Sequence, residues 1–321
     1  MSLRNSQPAS TYHRAMRAAA CLMLLLPAVV IACGSGDDAS ASAPSADGGA
    51  NTNGGDGSPV KGTGDGDAAT PDGSSGNVAP CDRPKPGPTT TGVPAGTVLT
   101  PSKSIKVEQD GAVVEGLDID GTITVLANNV TIRKVRITTG DYYPIRYFDN
   151  DNRGLVVEDS EIIGTSGNVT SAIAFAHYTA RRLNIHGGAD GLKADSDVLI
   201  EDCWIHDLSN GPDEHNDGVQ STGGKGVTIR HNVISGASNA CVQTGDENGA
   251  TEDLTIECNW LSGGGYSLNI RGKGATVPKN TKIIDNRFGR DHGYGPWTLD
   301  DPNPTVTGNV YDDDGTPIPY P

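Results

Sequence analysis

Between Ala112 and Tyr311 the chain repeats one short pattern of apolar and polar positions nine times. Each phrase has an apolar or β-branched residue, any residue, usually Ile or Val, then two or three polar positions and another apolar residue. It reads AVVEGLDI from Ala112, VTIRKVRI from Val130, LVVEDSEI from Leu155, YTARRLNI from Tyr178 and VLIEDCWI from Val198. It continues as VTIRHNVI from Val227, LTIECNWL from Leu254, TKIIDNRF from Thr281 and PTVTGNVY from Pro304. Successive starts lie 18, 25, 23, 20, 29, 27, 27 and 23 residues apart, a period that belongs to stacked repeats. Apolar and polar residues alternate within each phrase, which is strand periodicity, and helix-length amphipathic stretches are absent. The pattern predicts an all-β chain wound as a parallel β-helix of about nine coils.

A second strand aligns later in most coils, in YPIRYFD (Tyr143 to Asp149), SAIAFAH (Ser171 to His177), ADGLKAD (Ala189 to Asp195) and NDGVQST (Asn216 to Thr222). It recurs in ACVQTGD (Ala240 to Asp246), YSLNIRG (Tyr266 to Gly272) and GPWTLDD (Gly295 to Asp301). With period 2, Ile145, Ile173, Leu192, Val219, Val242, Leu268 and Trp297 point inward. The next residues then form an outward column of Arg146, Ala174, Lys193, Gln220, Gln243, Asn269 and Thr298, spaced about 4.8 Å apart. Asp195 and Arg271 lie two residues further on. Such a row of hydrogen-bonding side chains is a linear binding surface. Another column, Asn232, Asn259, Asn286 and Asn309, is a structural ladder of stacked amides.

Composition divides the chain into residues 1–32, 33–80, 81–103 and 104–321. The first segment has Arg4, Arg14 and Arg17, no acidic residue and the apolar run Ala18 to Ala32, a secretory signal pattern. Its end, Val30-Ile31-Ala32-Cys33, resembles the bacterial lipobox and implies lipidation at Cys33. Gly34 to Pro80 has seven Asp, one Lys and no aromatic residue, and reads as a flexible tether. Cys81 to Lys103 is expected to cap the first end of the solenoid, and Asp300 to Pro321 to close the other. The chain is therefore expected in a bacterial envelope, exported and held at the outer membrane or cell surface by its N-terminal lipid.

From Cys81 onward 20 Lys and Arg face 33 Asp and Glu, which excludes the basic footprint of a nucleic-acid partner. Cys81, Cys203, Cys241 and Cys258 match no metal spacing. They can pair in an oxidising exterior, with the pairing left open, while Cys203 reads as a buried thiol.

These features resemble the right-handed parallel β-helix superfamily over Thr100 to about Tyr311. That superfamily includes pectate, alginate and chondroitin lyases, polyuronate epimerases and pectin-cleaving hydrolases. The paired-Asp and Gly-His-Gly pattern of the hydrolases is missing, and Asp213-Glu214-His215-Asn216-Asp217 departs from the Asp-Pro-His-Glu of the epimerases. The resemblance implies a monomeric carbohydrate-active protein, foremost a lyase that cleaves a uronic-acid polysaccharide by β-elimination. In related lyases Lys or Arg is the base, and Ca²⁺ or Arg neutralises the substrate carboxylate.

The candidate site is the pair of coils GGADGLKAD (Gly187 to Asp195) and DEHNDGVQSTGG (Asp213 to Gly224), the second lying in the longest repeat. Elimination needs a base for the proton α to the carboxylate, for which Lys193 and His215 are candidates. Arg146, about 10 Å from Lys193 along the stack, is the candidate to neutralise the carboxylate. Gln220, Gln243, Asn269 and Arg271 would bind flanking sugars. Asp190-Gly191 and Asp217-Gly218 read as turn elements, and His186, His206 and His231 as structural or surface residues. Asp195, Asp217 and Asp246 are weak candidates for Ca²⁺, which requires six to eight converging oxygens. They would also serve as acid and base in the alternative of a glycoside hydrolase. A non-catalytic glycan-binding or envelope β-helix is the third reading.

Overall fold

The computed structural model describes residues 79–147, 152–209 and 215–320. The signal pattern, Cys33, nearly all of the tether, Asp213 and Glu214 lie outside these residues.

The nine phrases become nine parallel strands of one sheet, the first face, from Val113–Glu115 to Thr305–Thr307. The end of each phrase feeds a second face, from Leu117–Val125 to Val310–Tyr311. The seven later segments form the third side, from Ile145–Tyr147 and Ile173–Phe175 through Leu192–Lys193, Asp217–Ser221, Ala240–Thr244 and Tyr266–Ile270 to Gly295–Leu299. Every strand pair is parallel, so the chain is a parallel β-helix in which seven coils have all three sides.

The inward positions fill one continuous core. Ile132, Val157, Ile200, Ile229, Ile256 and Ile283 from the first face meet Ile119, Ile137, Ile162, Ile205 and Ile234 from the second, all buried. Each such side chain contributes roughly 1.5–3 kcal/mol on burial. On the third side Ile145 through Leu268 are buried as expected, but Trp297 is only half-buried. It lies in the last coil, where its ring packs edge-on to Phe288 at 5.3 Å.

The corner between the first and second faces is made the same way in every coil. The fifth residue of each phrase, Gly116, Lys134, Asp159, Arg182, Asp202, His231, Cys258, Asp285 or Gly308, is left-handed, with φ between 48° and 71°. A single left-handed residue turns the chain sharply without breaking either strand. The sixth residue then points inward at the bend, where the amide ladder forms. Asn232, Asn259 and Asn286 each donate to the amide oxygen of the next Asn at 3.0 Å, and Asn309 ends the run. Their NH₂ groups also bond the carbonyls of Ile200, Ile229, Ile256 and Ile283 at 2.8–3.0 Å. Ser160 and Cys203 occupy the same column and accept from the N–H groups of Val135 and Leu183.

Only part of segment 81–103 lies at the first end, where Thr100–Val107 pairs with the outer edge of Leu117–Val125. Residues before it form a strap along the corner. Cys81 is disulfide-bonded to Cys258, Arg83 contacts Glu201 and Asp202, and Gly92 N–H bonds the Arg182 carbonyl at 2.9 Å. Cys203 and Cys241 are buried free thiols, each pushed up to about 12 by burial. At the other end the tail folds back, with Ile318 N–H on the Asn309 carbonyl at 2.9 Å.

Candidate functional site on the third side

Register brings most of the outward column together as expected. Lys193 stands opposite Gln220, Gln220 opposite Gln243, Gln243 opposite Asn269, and Asn269 opposite Thr298. Arg146 stands opposite Ala174. The step from Ala174 to Lys193 differs from the expected one-to-one alignment. Ala172 N–H bonds the Gly191 carbonyl and Asp195 N–H bonds the Phe175 carbonyl, so two residues, Ile173 and Ala174, stand against Lys193. No ladder joins Ile173–Phe175 to Leu192–Lys193, so the third side divides into two sheets at this step.

A bend at the start of two strands adds residues that alternation hides. A methyl group at Gly191 would run into Ile205 and the Gly218 carbonyl, and one at Gly218 into Ile234 and the Cys241 carbonyl. Both glycines therefore face the second sheet, as the next residues Leu192 and Val219 face the core. The phase slips by one, and Asp190 and Asp217 share the outward side with Lys193 and Gln220.

The result is a buried polar chain. Lys193 Nζ donates to Asp190 Oδ2 at 2.7 Å and to Gln220 Oε1. Gln220 Nε2 donates to Asp217 Oδ2 at 3.1 Å, and Asn239 Nδ2 donates to Asp217 Oδ1 at 2.9 Å. Asn239 and Asn269 both donate to Gln243 Oε1, at 3.4 and 2.5 Å. Asp190 Oδ1 accepts the Asp217 backbone N–H at 2.9 Å. Asp190 is 8% exposed, Lys193 9% and Asp217 0%.

Burial, then the neighbouring Asp190 charge, pushes the Asp217 carboxyl up to about 7, against the bonds from Asn239 and Gln220. Because this folded value lies above that of an unfolded Asp, Asp217 lowers stability progressively as pH rises from about 4 towards 7. Lys193 Nζ, by contrast, faces the Asp190 carboxylate at 2.7 Å in a buried ion pair. In this arrangement its Nζ donates to both Asp190 and Gln220.

The other expected residues sit around this chain. Arg146 and Arg271 make no ion pair among the described residues, and Arg146 Nε and Asn269 Oδ1 are buried without a hydrogen-bond partner among them. His215 is exposed, two residues before Asp217. Asp195 accepts from the N–H of Thr222 at 2.8 Å and from its hydroxyl, and burial raises its pKa. Asp246 accepts from the Thr276 hydroxyl at 2.8 Å. Asp195, Asp217 and Asp246 thus have separate protein partners, and among the described residues no three His, Cys, Asp or Glu converge as metal ligands.

Asn239 is a member of the site that alternation did not single out, and Asp190, expected only as a turn element, is another. Tyr143 is a third. Its ring packs edge-on to Phe175 at 5.6 Å, and burial chiefly raises its pKa, with a contribution from the Asp190 charge. No protein-family model matches the chain, and no curated protein or solved structure matches it.

Proposed function

We propose that the protein is a monomeric polysaccharide lyase that binds an acidic, uronic-acid-containing glycan along the third side and cleaves it by β-elimination. The observation that carries this reading is the pair of arginines without carboxylate partners among the described residues. In a folded part so rich in Asp and Glu, Arg133, Arg136, Arg181, Arg182, Arg230 and Arg290 are each ion-paired. Arg146 and Arg271, both on the third side, are left for an outside anion.

In the mechanism that fits these positions, Arg146 binds a substrate carboxylate and lowers the cost of the negative charge that develops on it. Lys193, held by Asp190 and Gln220, adds a fixed positive charge beside the reacting sugar. His215, exposed at the rim, takes the proton α to the carboxylate. The electron pair left behind forms the new double bond as the glycosidic oxygen departs. Gln220, Gln243, Asn269 and Arg271 hold flanking sugars. Incubation with polygalacturonate, alginate and glycosaminoglycans, with and without Ca²⁺, is expected to produce the ultraviolet absorbance of an unsaturated uronide with at least one of them. No such absorbance with any polyuronide contradicts the lyase reading.

A glycoside hydrolase is the second reading, favoured by a different observation. Asp190 and Asp217 occupy equivalent positions in adjacent coils, about 4.8 Å apart along the stack. One is ion-paired and the other titrates near neutrality. A nucleophile and an acid in retaining glycosidases stand about 5–5.5 Å apart. New reducing ends without the ultraviolet product select this reading, and binding without turnover selects a non-catalytic glycan-binding protein.

Export and lipid anchoring at Cys33 in a bacterial envelope belong to the same proposal. They rest on the composition of residues 1–80, and the Cys81–Cys258 disulfide suits an oxidising compartment.

A further inference from the structure

We infer that Asp217 is a positioning residue which, acting through Gln220, holds a second acceptor on Lys193 beside Asp190 when its carboxylate is ionised and withdraws that acceptor when protonated. The inference deepens the proposed site and rests on that reading for its catalytic consequence alone.

The hydrogen-bond directions carry it. An amide has one accepting end and one donating end. Ionised Asp217 only accepts, and it takes one bond from Asn239 and one from Gln220. The Gln220 amide is thereby fixed with its NH₂ towards Asp217 and its oxygen towards Lys193 Nζ. Lys193 is then held by two acceptors, Asp190 and Gln220.

Protonation gives Asp217 a donor. The added hydrogen opposes one of the two NH₂ groups, and the Gln220 amide satisfies it by turning its oxygen to Asp217. Its NH₂ then faces the ammonium, a donor against a donor, and Lys193 keeps only Asp190. The ionisable groups around Asp217 fit this sense. Asp190 and Lys193 face it from the preceding coil, the Cys241 thiol lies in the following coil, and Tyr143 lies towards Asp190. The second acceptor is therefore in place above neutrality and withdrawn below it, in keeping with a carboxyl pushed up to about 7.

The test needs no glycan, so its outcome is independent of whether any polysaccharide is cleaved. The folded protein is acylated with N-hydroxysuccinimidyl acetate at pH 6.0 and 8.5, and acetylation of Lys193 is read by peptide mass spectrometry. Exposed Lys273 serves as the internal reference, which corrects for the general effect of pH on amines. At pH 8.5 Lys193 in Asp217→Asn is expected to react about tenfold faster than in the wild type, the worth of one hydrogen bond to a charged group. At pH 6.0 the two are expected to agree within about twofold, since most Asp217 is then protonated. Gln220→Leu is expected to remove the second acceptor from Lys193 at both pH values and to erase any further effect of Asp217→Asn. Equal ratios at the two pH values overturn the inference, whether from no effect or from general loosening of the fold. An Asp217→Asn effect that persists in the Gln220→Leu background overturns its route through Gln220.

Discussion

Asn259→Leu is expected to cost about 3–5 kcal/mol of stability, measured by urea unfolding. The side chain is fully buried and its amide serves three neighbours. Its oxygen accepts from both the backbone and side-chain nitrogens of Asn232, at 2.9 and 3.0 Å. Its NH₂ donates to the Ile229 carbonyl at 2.8 Å and to Asn286. Leucine has a similar volume, so the loss is not a cavity. It is the desolvation of polar groups left in the core with no solvent to turn to. Cys203→Ala, in the same column, removes only a weak thiol bond to the Glu201 carbonyl and a 3.4 Å contact from Leu183 N–H. It is expected to cost less than about 1.5 kcal/mol, since sulfur is a weak donor and acceptor. Equal losses from the two substitutions would mean that packing, and not the amide ladder, holds this corner.

Lys193→Met is the second large effect, and it acts on stability and activity by separable routes. It strands the Asp190 carboxylate, 8% exposed, without its ion-pair partner. Breaking a buried pair from one side costs about 3–5 kcal/mol, whereas replacing both partners by neutral groups costs little. The double variant Asp190→Asn with Lys193→Met is therefore expected to unfold at nearly the wild-type urea concentration. Its activity is expected to stay down by about 10²–10³-fold, because the charge at the reacting sugar is gone. Recovery of both stability and activity in the double variant would assign Lys193 to the scaffold alone.

Much of this architecture is legible in the residues, because each strand of a solenoid is specified by its own short pattern. The nine phrases gave the first face, the seven later segments gave the third, and the Asn column gave its ladder. What escaped has identifiable physical causes. The left-handed corner is held by Gly or Asp in five coils, but by Lys134, Arg182, His231 and Cys258 in the others, whose types do not announce it. Strict alternation puts Asp190 and Lys193 on opposite faces, and only the double inward turn at Gly191 and Leu192 reunites them. The break between Ala174 and Lys193 is invisible to an alignment made by apolar positions alone. The Cys81–Cys258 bond closes 177 residues, so no local spacing points to it.

The central claim is that the third side receives an acidic glycan through Arg146 and Arg271, which make no ion pair among the described residues. Affinity electrophoresis in gels cast with polygalacturonate, alginate or hyaluronate tests it most directly. The wild type is expected to be retarded by at least one polymer, and Arg146→Ala with Arg271→Ala to lose about tenfold in affinity or more, as for two lost charged hydrogen bonds. Arg133→Ala, whose guanidinium is paired with Glu115 on the first face, is expected to migrate like the wild type. No retardation in any of the gels, or an equal loss from Arg133→Ala, would contradict the claim.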